Sequence, residues 1–164
     1  MTPQAGTPET WVLLSYRVPR EPSTPRIAIW RKLKRLGVAQ LSDGLVALPA
    51  DARTREALEW IAADVVEAGG TATVWLGRPA AGDAELVAAL AEARAEEYRA
   101  VMAEAQAAAV ADDPSRLATL RKLRAELGRI NRRDFFPPPE RETARAAVEA
   151  LAEAVPTAPS RRSR

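Results

Sequence analysis

Residues 24–49 read TPRIAIWRKLKRLGVAQLSDGLVALP and decide the fold, because they join a basic amphipathic helix to a tight hairpin. Thr24 and the proline after it are typical of a helix start, since a threonine hydroxyl can accept a hydrogen bond from a free amide. Gly37 predicts the helix end, because glycine adopts the left-handed conformation that closes a helix. Asp43-Gly44 lies between two apolar runs and predicts the hairpin turn.

The flanking segments extend this pattern to the order strand, helix, strand, strand, helix, strand. Residues 11–18 predict a strand with Val12, Leu14, Tyr16 and Val18 on its core face, 51–68 predict a second helix, and 71–76 predict the fourth strand. This order is typical of the split βαβ, or ferredoxin-like, fold, which places both helices on one face of a four-stranded antiparallel sheet. The other face, where we expect Trp11 and Trp75, needs a second domain or a second subunit to cover it, and of these we expect a symmetric dimer.

The second half of the sequence is helical in pattern. We predict an α+β protein with a ferredoxin-like unit at 11–79 and a C-terminal helical extension at 80–155 that packs on it. Prolines and a glycine predict a flexible leader at 1–10, and the Arg-rich and Ser-containing end predicts a disordered basic tail at 156–164.

Aromatic residues outside the strands carry two further expectations. Trp60 falls opposite the apolar stripe of its helix, so we expect the C-terminal helices to cover it. Phe135 and Phe136 precede three prolines, which predicts an anchor that holds a turn against the core.

The composition excludes several classes of chemistry. The sequence has no cysteine and no histidine, which removes disulfides, thiol and imidazole catalysis, the usual serine triads and most transition-metal sites. We therefore expect no enzyme activity, no cofactor and no metal. There is no apolar run of membrane-spanning length, and residues 1–10 do not have the pattern of a signal peptide. These features predict a cytoplasmic location and no membrane partner.

Charge is distributed unevenly along the chain. The net charge of +2 combines +2 for residues 1–79, −6 for 80–113 and +6 for 114–164. Basic side chains fall on one side of two predicted helices, and we expect them to form one exposed surface that contacts nucleic-acid phosphates. The alternative is that they only solvate the outer sides of packed helices. The candidate residues are Arg31, Lys32, Lys34, Arg35, Arg121, Lys122, Arg129, Arg132 and Arg133.

The order and spacing of these elements resemble the N-terminal domain of the ChrB family. The resemblance covers about residues 11–155 and rests on the first strand, the helix with a central Trp30, the hairpin 41–45, the Leu48-Pro49 strand end and the late Asp-Phe-Phe-Pro segment. It implies a transcriptional regulator linked to bacterial chromate resistance, with DNA as partner. Members usually continue into a C-terminal chromate-resistance domain that this sequence does not contain.

Other functions stay open beside the regulator. The chain could be a dimeric interaction module that pairs with a separate chromate-resistance domain protein, or its arginines could bind an oxyanion directly. The fold order is also similar to that of the small CRISPR adaptation endonucleases, which place a metal-binding carboxylate at the end of the first strand. Here that strand ends Tyr16-Arg17-Val18-Pro19, so we expect no nuclease activity.

Overall fold

A computed structural model of the chain describes residues 6–155. The first five residues of the predicted leader 1–10, and the whole predicted tail 156–164, lie outside the described residues. The described part contains four strands and five helices: β1 (Trp11–Arg17), α1 (Ser23–Leu36), β2 (Ala39–Ser42), β3 (Leu45–Pro49), α2 (Ala52–Glu67), β4 (Thr71–Gly77), α3 (Asp83–Ala108), α4 (Asp113–Asn131) and α5 (Glu140–Glu153). The predicted α+β class is confirmed.

The chain divides into two compact units. The sheet unit extends from the N-terminal side to Ala91 and also contains Arg133–Phe136. The helical unit consists of Glu92–Arg132 and the described residues from Pro137 onward. Helix α3 therefore begins in the sheet unit and ends in the helical unit.

All neighbouring strands of the sheet are antiparallel, in the order β2-β3-β1-β4. Strand β1 lies inside the sheet, with Val12 opposite Leu48 of β3 and Leu14 opposite Val46. On its other side Leu14 is opposite Val74 of β4. Because side chains of a strand alternate between faces, this register puts these apolar residues on one face.

Helices α1 and α2 both contribute to the core on that face. Each buried aliphatic side chain there stabilises the fold by roughly 1.5–3 kcal/mol relative to its exposed state. The shared cluster consists of Val12, Leu14, Ile29, Leu33, Val46, Leu48, Leu58, Ile61 and Val65. The apolar stripes of the two helices therefore fix which of their side chains point to solvent.

The helix ends follow the sequence signals with one exception. Helix α1 begins at Ser23 behind Pro22, without a side-chain cap, so the prediction of a Thr24 cap is wrong: Thr24 is already inside the first turn. Its predicted end is confirmed, since Gly37 has φ 73° and its amide donates to the carbonyl of Lys34. Helix α2 begins with a capping box between Asp51 and Thr54.

The second face of the sheet is divided between buried and exposed aromatic residues. Trp11 is 1% exposed and packs against Phe136, with ring centroids 6.3 Å apart, so the predicted anchor is confirmed for Phe136. Trp75 is 56% exposed, and its indole N–H donates to the hydroxyl oxygen of Ser15 at 2.9 Å. The part of this face at Trp75 is thus exposed.

Trp60 is not covered within the sheet unit. Its residue is 68% exposed, so no segment of the sheet unit buries it, and a cover from the C-terminal helices stays a prediction. The physical reason is the orientation of α2, whose buried side chains Leu58, Ile61 and Val65 face the sheet and leave Trp60 on the opposite side.

The helical unit has its own core. Ten buried residues of α3, α4 and α5 form it, Tyr98 and Ile130 among them, and the Tyr98 hydroxyl donates to Asn131 Oδ1 at 3.0 Å. Helix α4 begins at a cap in which Asp112 accepts from the amide of Ser115, and hydrogen bonds from the side chain and then the amide of Ser115 lower the pKa of Asp112. Across residues 6–155, every helix is too short or too polar to cross a membrane.

Candidate nucleic-acid interface and basic cleft

The predicted cations of α1 lie on its solvent side. Ile29 and Leu33 are 3% and 2% exposed, and their burial against the sheet turns Arg31, Lys34 and Arg35 outward. The predicted exposed basic face is therefore present on this helix. It belongs entirely to the sheet unit.

Two of these cations have partners within the sheet unit. The Lys32 ammonium lies 2.6 Å from a carboxylate oxygen of Asp64 on α2, and both side chains are partly exposed. The Lys34 ammonium lies over the Trp30 ring, 4.6 Å from its centroid, in cation–π geometry. Arg31 and Arg35 have no side-chain hydrogen bond or ion pair to any residue within 6–155.

A basic cleft of about 670 Å³ opens beside α1. It lies where the end of β1 meets the start of α1 and the β2–β3 hairpin. The basic cleft combines cationic, aromatic and aliphatic side chains, and it contains one carboxylate. Its lining residues are Tyr16, Arg17, Val18, Arg20, Arg26, Ile27, Trp30, Arg31, Gln40, Asp43 and Gly44.

Two glycines fix the end of β1 beneath the basic cleft. Gly44 has φ 76°, and a Cβ there would lie 2.4 Å from the carbonyl oxygen of Tyr16. A Cβ on Gly70 would lie 2.2 Å from the carbonyl oxygen of Arg17. The Tyr16 amide also donates to the carbonyl of Gly44 at 2.8 Å. Close backbone packing on both sides therefore holds Tyr16 and Arg17 in place.

The four arginines of the basic cleft have no side-chain hydrogen bond or ion pair to another described residue. Burial raises the pKa of Tyr16, and the carboxylate of Asp43 raises it further. The phenol therefore keeps its proton at neutral pH and can donate a hydrogen bond. The cleft presents several donors and cations, against the single carboxylate of Asp43.

A second concavity of about 580 Å³ adjoins the same strand end. Arg17 and Arg20 line both concavities, and Gly69, Gly70 and Thr71 complete the second. The two arginines at the end of β1 therefore face a wider open surface than the basic cleft alone.

The predicted cations of α4 are arranged differently. Lys122 forms an ion pair of 2.5 Å with Glu104, and Arg129 pairs with Glu126. Arg132 and, in the sheet unit, Arg133 interact with other groups of the chain. Arg121 is exposed and makes no such contact within 6–155. Two of the cations predicted on α4 thus form ion pairs with carboxylates. The carboxylate of Glu104 comes from the acidic helix α3, and that of Glu126 comes from α4 itself.

Sequence reasoning missed three of the four arginines of the basic cleft, namely Arg17, Arg20 and Arg26. Their signal was present but weak. Arg26 precedes Trp30 by four residues and so shares its side of the helix, while Arg17 and Arg20 flank the loop after β1. Only the fold brings that loop beside α1. No group of three or more His, Cys, Asp or Glu side chains suited to a metal occurs within residues 6–155.

Comparisons with known proteins agree on one family. The family described as "Protein ChrB, N-terminal" matches residues 26–113 of this chain. Protein ChrB of Cupriavidus metallidurans is 34% identical over 140 residues, which cover 80% of this chain and 42% of that protein. The chain thus spans less than half the length of the curated relative it matches. No solved structure matches the chain significantly.

Proposed function

The chain belongs to the family of the ChrB N-terminal domain, and on that premise we propose that it is a transcriptional regulator linked to bacterial chromate resistance. In this proposal the protein contacts DNA phosphates through basic side chains and carries out no catalysis. It acts in the cytoplasm, where bacterial DNA is found. The family supports the regulatory role, and the charge arrangement supports the contact with DNA.

The observation that carries the proposal is the exposed basic face of α1. Arg31 and Arg35 point away from the sheet and have no side-chain partner within residues 6–155, and Lys34 is exposed beside them. Unpaired guanidinium groups lose little on meeting a phosphate, because no internal ion pair has to break. On α4, Lys122 and Arg129 would have to exchange carboxylate partners, so we assign α1 the larger share of the contact.

We also infer that the sheet unit has the ferredoxin-like arrangement. The support is the element order β-α-β-β-α-β, the position of β1 between β3 and β4, and a core shared by α1, α2 and one face of the sheet. In such a unit the basic cleft lies at the end of the sheet where β1 leads into α1.

The test is a fluorescence-anisotropy titration of the full chain with duplex DNA from its own promoter region, repeated over a series of salt concentrations. We expect affinity to fall as salt rises, since each phosphate contact adds about 0.9 to the slope of log K against log salt. A random duplex of equal length measures the non-specific part. Absence of binding to either duplex at about 50 mM salt would contradict the proposal.

A second candidate function is a dimeric interaction module, and the exposed apolar side chains favour it. Trp75 and Leu76 of β4 are 56% and 55% exposed, on a strand at the edge of the sheet. An edge strand with exposed apolar residues is suited to pairing with a second copy of the chain. Light scattering after size-exclusion chromatography should then give the mass of a dimer for the unchanged protein. The Trp75→Ser variant should give a lower mass, because it loses part of the dimer contact. A monomer at every concentration would reject this candidate.

A further inference from the structure

The basic cleft combines features that a contact with a DNA backbone does not require. It is concave, it contains four arginines without side-chain partners within residues 6–155, and it presents aromatic and aliphatic side chains beside them. We propose that this cleft binds a nucleoside phosphate, with the phosphates on the arginines and the base against Trp30. The inference does not depend on the proposed DNA contact, because it concerns a small ligand and mainly other residues.

The arginines provide the phosphate site. Arg20 and Arg26 approach the basic cleft from the loop after β1 and from the first turn of α1, and Arg17 and Arg31 complete the set. A guanidinium group donates two parallel hydrogen bonds to phosphate oxygens, which favours this anion over a carboxylate of similar charge. Four such groups on one concave surface repel each other, and a bound polyphosphate relieves that repulsion.

The aromatic wall provides the site for a base. Trp30 and Ile27 are 49% and 43% exposed, although both residue types are usually more buried. Lys34 does not line the basic cleft but holds the Trp30 ring through its cation–π contact. A ring that is already positioned loses little conformational entropy when a planar base packs against it.

Size and the single carboxylate argue for a nucleoside phosphate rather than a bare oxyanion. A volume of about 670 Å³ is in the range of sites for organic ligands and leaves a lone tetrahedral anion largely in solvent. Asp43 would repel a bare anion, but it accepts hydrogen bonds from the hydroxyls of a sugar or the amino group of a base. The protonated phenol of Tyr16 adds a donor at the same end of the lining.

Calorimetry on the full chain tests the proposal with three probes: ADP, adenosine and inorganic phosphate. We expect ADP to bind at least about tenfold more tightly than either adenosine or phosphate, because only ADP occupies both the arginines and the aromatic wall. Tryptophan fluorescence should change with ADP and not with phosphate. The affinities of guanosine and cytidine diphosphates, compared with that of ADP, then show whether the cleft distinguishes one base from another.

Matched variants locate the site. Arg20→Ala combined with Arg26→Ala, and separately Trp30→Leu, should each weaken ADP binding by about tenfold or more. The controls are Arg55→Ala and Trp60→Leu, which change the same residue types on the exposed side of α2. They should leave ADP binding unchanged within about twofold. Circular dichroism of each variant checks that it is folded.

Three outcomes overturn the proposal. They are no binding of ADP, phosphate binding as tight as that of ADP, and an equal loss in the control variants. If the cleft variants lower affinity for duplex DNA while ADP does not bind, the arginines belong to the DNA surface instead. If ADP binds and DNA does not, the ligand site stands and the proposed regulatory contact fails.

Discussion

The basic cleft of the sheet unit and the helical unit differ in how most of their arginines are partnered. In the sheet unit, the arginines of the basic cleft have no side-chain partner among the described residues. In the helical unit, Arg99 lies 2.8 Å from Glu92 and also contacts Glu140, and Arg116 is 3.0 Å from Asp113. The difference follows from composition, since α3 and the first turns of α4 and α5 supply carboxylates that the cleft largely lacks. Paired cations are occupied by contacts within the chain, and unpaired ones are available to a ligand.

Arg116 is the arginine of the helical unit whose guanidinium makes several hydrogen bonds to backbone carbonyls. Its guanidinium donates to the carbonyl oxygens of Ala154 at 2.8 Å and Ala111 at 2.7 Å, and it also reaches Ala109. It thereby satisfies carbonyl groups near the ends of two helices, where no backbone partner follows. No cleft arginine has such a role within residues 6–155. A free arginine and a structural arginine should therefore respond differently to substitution.

The largest expected effect is a loss of stability when the close backbone packing beneath the basic cleft is disrupted. Gly44→Ala should lower the free energy of unfolding by about 3 kcal/mol, because a Cβ meets the Tyr16 carbonyl oxygen at 2.4 Å and the backbone has φ 76°. Gly77→Ala is the matched control, since nothing lies within 4 Å of a Cβ there. Urea denaturation measures both. Equal stability of the two variants would contradict the close approach beneath the cleft.

The next effect tests the structural arginine directly. Arg116→Ala should destabilise the protein by about 2 kcal/mol, because it leaves the carbonyl of Ala111, which accepts a part-buried hydrogen bond, and the carbonyl of Ala154 without this donor. Arg26→Ala removes the same side chain from the basic cleft and should change stability by less than about 0.5 kcal/mol. Chemical denaturation of both proteins in one buffer gives the comparison. A larger loss for Arg26→Ala would reverse the distinction between the units.

A smaller effect concerns DNA. Arg31→Ala combined with Arg35→Ala should lower the slope of log K against log salt by about 2 and weaken binding about tenfold at low salt. Lys122→Ala combined with Arg129→Ala removes the same charge from paired positions and should have less than half that effect. Anisotropy titrations with one duplex measure both. If the α4 variant loses more affinity, α4 is the main contact.

The smallest effect is a pH dependence. Burial raises the pKa of Tyr16 above its ordinary value of 10.0, with a further contribution from Asp43. The stability that this group contributes is therefore complete below pH 10.0 and is lost as pH rises through the folded pKa. Tyr16→Phe should remove that part of the alkaline loss. Urea denaturation at pH 9 and pH 11 checks it, and identical losses in both proteins would refute it.

Local signals in the sequence were enough for the elements of the sheet unit. The start of helix α2 contains Asp51 and Thr54, two residue types that favour helix caps, and both take part in its capping box. Gly37 ends α1 and Asp43-Gly44 turns the hairpin, because each requirement concerns only neighbouring residues. Thr24 failed as a cap because α1 begins two residues earlier, at Ser23 instead of Pro25, and local signals define a helix end only to within one or two residues.

The burial of side chains by segments distant in the sequence could not be predicted in the same way. Trp60 and Trp11 are both tryptophans beside polar residues, yet one is 68% and the other 1% exposed. Their difference depends on which segment covers each ring, and for Trp11 that segment includes Phe136, which is 125 residues away in the chain (136 minus 11). Contacts at such a separation leave no periodic trace in the sequence.

The sequence by itself determined the α+β class, the order of the strands and helices, the basic outer face of α1 and the absence of thiol and imidazole chemistry. Those properties follow from local periodicity, turn residues and composition. Only the tertiary structure decided which cations are free, because an ion pair depends on where carboxylates from other segments come to lie. It also assembled the basic cleft, since Arg17, Arg26 and Asp43 come from three elements that meet only when β1 pairs with β3 and α1 packs on the sheet.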